Sequence, residues 1–277
     1  MELFFTSDLH GSSGHYEQVL EQVRRRQCDV VVLGGDMLPD GDRGRPYRAV
    51  CRYIQQKITV FLEQLHEING DIDILTIFGN HDWSFSVDEF AELQQRGLLT
   101  MLEYNRVVEI GGLKFLGLSY SPPAPYWIKD FERRDRTNDN GEEFGGYVWS
   151  AEKGRIMPIV AHEYFAGHDS LEKMFAEAPG VDDSFVLVTH APPARSNLDV
   201  LEGGLHVGSW SVRHYIESVH PMLSLHGHVH ESPVETGHFS DNIGGCLCVN
   251  PGQEHHKLCA VWWNSDQPDR VDHTIYP

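Results

Sequence analysis

Five short runs in this 277-residue chain bring together carboxylates, imidazoles and a carboxamide: Asp8-Leu9-His10, Gly34-Gly35-Asp36, Gly79-Asn80-His81-Asp82, His190 and Gly227-His228-Val229-His230. Neutral imidazole, carboxylate and amide oxygen suit borderline divalent metals such as Mn, Fe, Zn or Co. No thiolate occurs in the series, which argues against a soft structural zinc site. Taken singly, the runs carry little. Asp-x-His arises by chance, Gly-Gly-Asp after a strand is a plain turn, and Asn80-His81-Asp82 could be a capped turn. Gly227-His228-Val229-His230 says more, because alternate residues at a strand end put two imidazoles on one side.

The elements around these runs give them their force. Residues 3–7 read as a short buried strand that delivers Asp8. Residues 14–27 have helical spacing, with Tyr16, Val19, Leu20 and Val23 on one side. A β-branched run at 29–33 closes at Gly34-Gly35. A long helical pattern covers 45–67, stopped by Asn69-Gly70, and a third strand at 72–78 ends at Gly79. Strand, helix, strand, helix, strand implies a covered, largely parallel sheet. Chemistry in such sheets collects at the carboxyl ends of the strands, where the first three runs fall. Later in the chain, 184–189 is a strand ending at His190 and 222–225 a strand ending before His228. A helix is expected at 87–96, and a hairpin around Gly111-Gly112. Further helices are expected at 170–177 and 209–219, and antiparallel-type strands at 245–250 and 257–263. Residues 121–150 have no clear periodicity and read as an insertion within one 1–277 domain, overhanging the site.

In this order and at these positions, the series resembles the calcineurin-like metallophosphoesterase superfamily. The resemblance runs from Asp8 to the Asn250-Pro251-Gly252 turn. It implies an α/β (α+β) fold, a four-layered αββα sandwich of two mixed sheets. It also implies that Asp8, His10, Asp36 and His230 hold one divalent metal while Asp36, Asn80, His190 and His228 hold a second, with Asp36 shared. Two such cations lower the pKa of a bridging water, giving hydroxide near neutral pH, and grip phosphoryl oxygens. By the same resemblance His81 is the general acid toward the leaving group, and Asp82 holds its ring and favours its protonated form. The expected activity is hydrolysis of a small phosphodiester, nucleotides included. A phosphomonoesterase or protein phosphatase is the near alternative, followed by a nuclease and by a non-catalytic scaffold.

Composition bounds the rest. A net charge of −19 disfavours binding of long nucleic acid. No apolar run reaches membrane-spanning length, and the N-terminus lacks a basic leader region, so a cytoplasmic protein is expected. The five cysteines form no CxxC pair and read as buried reduced thiols, with Cys246 and Cys248 on one face. His226 is out of phase with His228 and is expected to face away. His255-His256, His162 and His168 read as surface or supporting residues. The glycine-rich 203–209 loop could offer N–H groups to phosphate. Arg133, Arg134 and Arg136 read as a solvated loop rather than a phosphate clamp. Tyr126, Trp127, Tyr147 and Trp149 could stack on a substrate ring or pack the insertion down.

Overall fold

Runs such as Phe4-Phe5 and Val30-Val31-Val32 are buried on both faces, so each central strand must lie between two layers. The computed structural model describes residues 1–41, 46–139, 145–181 and 185–276. In chain order the first half comprises β1 (Glu2–Thr6), α1 (Ser13–Arg25), β2 (Val30–Leu33), α2 (Pro46–Tyr53), a π-helical turn (Ile54–Ile58), α3 (Thr59–Ile68), β3 (Asp73–Thr76), α4 (Ser86–Gln95), β4 (Thr100–Met101), β5 (Val108–Ile110) and β6 (Leu113–Leu118). Then come β7 (Tyr147–Ser150), β8 (Arg155–Pro158), α5 (Ala161–Ala166), α6 (Leu171–Ala176), β9 (Phe185–Thr189), β10 (Val200–Leu201), β11 (Leu205–His206), α7 (Trp210–Val219) and β12 (Leu223–His226). The chain closes with α8 (Ser232–Thr236), β13 (Ser240–Ile243), β14 (Cys246–Val249), β15 (Ala260–Asn264) and β16 (Val271–His273).

Two mixed six-stranded sheets result, in the orders β16-β15-β1-β2-β3-β4 and β13-β14-β12-β9-β6-β5. Alternation along the strands sorts the side chains into layers. Leu3, Phe5, Val30, Val32, Val186, Val188 and Leu225 meet between the sheets. Phe4, Val31 and Leu33 face the other way, against Val19, Leu20, Phe61 and Leu62 of α1 and α3. On the far side Leu187, Cys246 and Cys248 pack against Phe175 of α6 and Val212 and Ile216 of α7. The order is helix, sheet, sheet, helix, as the motif series implied.

Local chemistry explains the element ends. Ser12 caps α1 by accepting from the His15 N–H, and the buried stripe of α1 includes Tyr16, Val19, Leu20 and Val23. The single helix expected over 45–67 is α2, the π turn and α3 in succession, and Arg45 lies outside the described residues. Where the π turn passes into α3, the Thr59 hydroxyl donates to the Ile54 carbonyl at 3.1 Å. Gly111 and Gly112 turn the β5–β6 hairpin at φ 55 and 85, backbone values that few side chains tolerate. Ser184, expected to start the strand before His190, also lies outside the described residues.

Three expectations change. The strands at 245–250 and 257–263 belong to different sheets, and β14 lies parallel to β12 and antiparallel only to β13. β13 and β16 add edges that short polar sequences concealed. The insertion does not end at 150 and is not irregular throughout, because β7 pairs with β8 across that boundary and α5 follows. Asn140 and Gly141 lie outside the described residues. The five cysteines are buried and free. No helix among the described residues is long and apolar enough to cross a membrane.

Candidate active site

The ligand-type residues sit on the loops that leave β1, β2 and β3 in one sheet and β9 and β12 in the other. These loops are laced together by backbone bonds from Asp8 N–H to the Gly35 carbonyl and from His10 N–H to the Asp36 carbonyl. Four of the side chains stand on left-handed backbone: Asp8 (φ 60), His10 (φ 44), Asp36 (φ 50) and His228 (φ 70). Each such residue costs about 1–2 kcal/mol, so the surrounding structure must hold them there. Close approach also demands missing side chains. A Cβ on Gly79 would strike the Asp36 carboxylate and the His190 ring, and one on Gly227 would strike Ser7 and Asp8.

All seven expected metal ligands converge. His230 Nε2 lies 3.2 Å from Asp8 Oδ1 and 3.3 Å from His10 Nε2, and His10 Nε2 lies 3.9 Å from Asp36 Oδ2. On the other flank His190 Nε2 is 3.4 Å from Asp36 Oδ2 and 3.0 Å from Asn80 Oδ1. Asn80 Oδ1 is also 2.8 Å from His228 Nδ1. His190 Nδ1 faces the Gly34 carbonyl at 3.0 Å and must carry the proton there. In the neutral ring its Nε2 is then a bare lone pair aimed at two oxygens, which is the arrangement of a histidine prepared to ligate a cation. Metal-sized groupings of Asp8, His10 and His230 and of Asp8, Asp36 and His190 follow from these positions.

The electrostatics agree. Burial alone would raise Asp8 and Asp36, yet the charges of His230 and His190 respectively hold both far below the usual carboxylate range. Burial alone would lower His190, but Asp36 and Asp8 raise it to about 9. The field between these groups favours positive charge. Burial, then the charge of His190, drives His228 down to about 3, so it keeps a free lone pair. The donor set, its burial and its field fit two divalent cations.

Asp82 requires a correction. It does not hold the His81 ring; its carboxylate accepts the backbone N–H groups of Asp36 (3.0 Å), Gly79 (2.9 Å) and Leu38 (3.2 Å). It therefore ties together the two loops that carry Asp36 and Asn80. The reason is geometric: residues 80–82 form a tight turn, and successive side chains on it diverge. The partner of His81 is Asp40, with Oδ1 2.9 Å from Nδ1. Asp40 belongs to the same loop as Asp36, and nothing in the sequence around it marks it as the partner of His81. Burial lowers His81, but Asp36 and the Asp40 hydrogen bond raise it to about 9.

The insertion roofs this face. Tyr126, half exposed, sets its ring against His81 at 4.4 Å between centroids. Trp149 instead stacks on Tyr47 at 5.1 Å, and Trp127 packs on Trp83. Asp130 anchors the roof by accepting the N–H groups of Ser84 and Trp149. Arg133 is not solvated: it is buried over Tyr120 and donates to the carbonyls of Asp130 and Glu132, while the half-buried Arg134 donates to the Phe165 and His168 carbonyls. Arg136 lies over Trp210. The N-terminus of α7, offered by the 203–209 loop, is already taken by Asp135, which accepts from Ser209 Oγ and from Trp210 and Ser211 N–H. His226 is buried with Nδ1 2.8 Å from Thr189 Oγ1, away from the ligand cluster. Beside Asp8, His10 and His230 opens a cavity of about 570 Å³, bounded by His15, Glu254 and His256 and not lined by Tyr126.

A sequence model of calcineurin-like phosphoesterases matches residues 1–232. No curated protein sequence matches the chain. Among solved structures, TT1561 of Thermus thermophilus is similar at 14% identity with a TM-score of 0.58, over 98% of this chain and 97% of that one. A dimetal phosphatase from Danio rerio is similar at 12% identity with a TM-score of 0.53, over 100% and 99%. At these identities the likeness is one of fold.

Proposed function

The chain belongs to the calcineurin-like phosphoesterase family, a family of phosphoric ester hydrolases, and from that premise we propose that it cleaves small phosphodiesters using two divalent transition metals. Asp8, His10, Asp36 and His230 would hold one metal, and Asp36, Asn80, His190 and His228 the other. When bound, the pair supplies a water of lowered pKa and neutralises charge on the phosphoryl group. The protein's own part is to hold and move a proton. Asp40 fixes Nδ1–H of His81, which leaves Nε2 to protonate the departing alkoxide. Asp82 keeps the Asp36 and Asn80 loops in register, and Tyr126 covers the His81 ring from solvent.

The observation that carries the diester reading is the charge of the cavity wall beside the ligands. Among the described residues its lining includes histidines, Ser12, Gln253 and Glu254 but no lysine or arginine. A monoester dianion calls for further cations around its third oxygen. A monoanionic diester does not, and the cavity leaves room for its second substituent. With Mn loaded, turnover of bis(p-nitrophenyl) phosphate should exceed that of p-nitrophenyl phosphate. A tenfold or greater preference for the monoester sinks this reading. We place the enzyme in the cytoplasm, where its buried thiols stay reduced, and its −19 charge disfavours long nucleic acid as a partner.

A further inference from the structure

The roof brings one large aromatic ring to the proposed proton donor and leaves it uncovered. Tyr126 meets His81 at 4.4 Å between ring centroids, yet the residue is 45% exposed. Burial, then the charges of Glu231, Asp36, Asp8 and Asp40, raise its phenol above the usual value, so the ring stands near the ligand cluster as a neutral group. The run before it, Pro122-Pro123-Ala124-Pro125, has three prolines with φ fixed at about −65°. The one backbone N–H of that run, on Ala124, donates to Glu132 Oε2 at 3.2 Å, and the Ala124 carbonyl accepts from Lys129 Nζ. Lys129 and Glu132 pair at 2.7 Å with no exposed side-chain surface. At the base of the loop the Ser121 N–H donates to the Phe131 carbonyl and the Arg133 N–H to the Ser121 carbonyl.

We propose that Tyr126 is the wall for the leaving group and selects an aromatic or heteroaromatic one, and that the buried Lys129–Glu132 pair is the positioning device that holds this wall beside His81. The inference rests on the diesterase reading, with His81 as general acid. An oxygen that His81 protonates must come within hydrogen-bond reach of its ring, so a ring carried on that oxygen is brought to Tyr126. Aromatic rings pair through offset or edge-to-face contacts, which add to the burial of their surface. The role of the ion pair follows from what it touches. A buried pair stabilises a fold no better than well-packed apolar side chains of the same volume. An ammonium only donates, however, and a carboxylate only accepts. Together they grip the carbonyl and the N–H of a single residue, which two apolar side chains cannot do. Ala124 is thereby fixed two residues before Tyr126. A Cβ on Gly146 would strike the Trp127 carbonyl and the Lys129 stem, so the chain entering β7 packs directly on this clamp.

The probes are methyl 2-naphthyl phosphate and methyl phenyl phosphate, which share the retained substituent and release phenols of similar acidity but different ring area. With Mn loaded, the wild-type protein should prefer the naphthyl ester about five- to tenfold in kcat/KM, mostly through KM. Tyr126→Phe should keep that ratio, and Tyr126→Leu should bring it toward one. The double change Lys129→Met/Glu132→Leu removes both charges at similar volume and should lower the ratio through KM. Added to Tyr126→Leu, the same double change should lower it no further, because the pair acts through the ring. Manganese content by elemental analysis should stay at the wild-type level in every variant, because none of these side chains belongs to the proposed ligand set. If the double variant fails to fold, Lys129→Met carries this arm. It frees the Ala124 carbonyl, and burial already raises Glu132 to about 7, so that the remaining carboxyl neutralises readily. A wild-type ratio near one, or a Tyr126→Leu variant that keeps the full ratio, overturns the wall. Folded pair variants that keep the full ratio, or that lower it equally without Tyr126, overturn the positioning role. Cleavage of p-nitrophenyl phosphate with neither methyl diester cut instead overturns the diesterase reading.

Discussion

Two carboxylates of different depth govern the proton on His81. Asp36 is buried, and a metal beside it would cancel most of its charge; Asp40 is partly exposed and stays free to act on the ring. With metals bound, His81 should therefore titrate between the ordinary imidazole value of 6.5 and about 9. A general acid works only while protonated, so kcat should fall as pH rises through that value. Asp40→Asn removes one of the influences that raise it and should move the alkaline limb of kcat to lower pH, measured with a diester of poor leaving group. His81→Ala should lose about 10²–10⁴-fold in rate while keeping both metals. A limb that stays in place in Asp40→Asn would remove Asp40 from the mechanism, and loss of metal in His81→Ala would make His81 a ligand. Residue types and order made the convergence of the proposed ligands readable from sequence. The Asp40 contact was not, because a hydrogen bond across a folded loop leaves no mark in adjacent residues.

Among elements, α7 shows how the insertion is fastened. Its N-terminal N–H groups and the Ser209 hydroxyl are satisfied by one carboxylate from a distant segment, Asp135. Asp135→Ala leaves those buried donors without a partner and should cost about 1–3 kcal/mol of stability. Chemical denaturation measures this, and a change below about 0.5 kcal/mol would mean that water replaces the carboxylate without penalty. The core elements were legible because burial on one face imposes a period: 3.6 in α1 through Tyr16, Val19, Leu20 and Val23, and continuous apolar runs in β1, β2 and β9. The insertion obeys no period. It is built from Asp130 and Asp135 on backbone N–H groups, from the fully buried Lys129–Glu132 pair at 2.7 Å, and from Arg133 laid over Tyr120. Those contacts reach across the chain rather than along it, so the stretch reads as irregular and the buried Arg133 as solvated.

For the whole molecule, the proposed ligand set joins the two sheets. Asp8, Asp36 and Asn80 follow strands of one sheet, while His190, His228 and His230 follow strands of the other. Metal held by both should resist their separation, adding RT ln(1 + [L]/Kd), about 2.7 kcal/mol at a hundredfold excess over Kd. Tm should therefore rise with Mn concentration and drop on chelation, by scanning calorimetry. A Tm indifferent to both would mean that the ligands do not span the sheets through a common ion. The left-handed backbone at Asp8, His10, Asp36 and His228 has an evolutionary consequence. Glycine or asparagine would sit at each of these positions with less strain, so mutations that abolish the centre relax the chain locally. Quality control that senses only foldedness would let such variants accumulate. Asp8 and Asp36 are held in place also by the His228 and His81 N–H groups that they accept, so a lineage released from the proposed reaction would lose His10 and His228 first and drift toward an inert relative of the same shape.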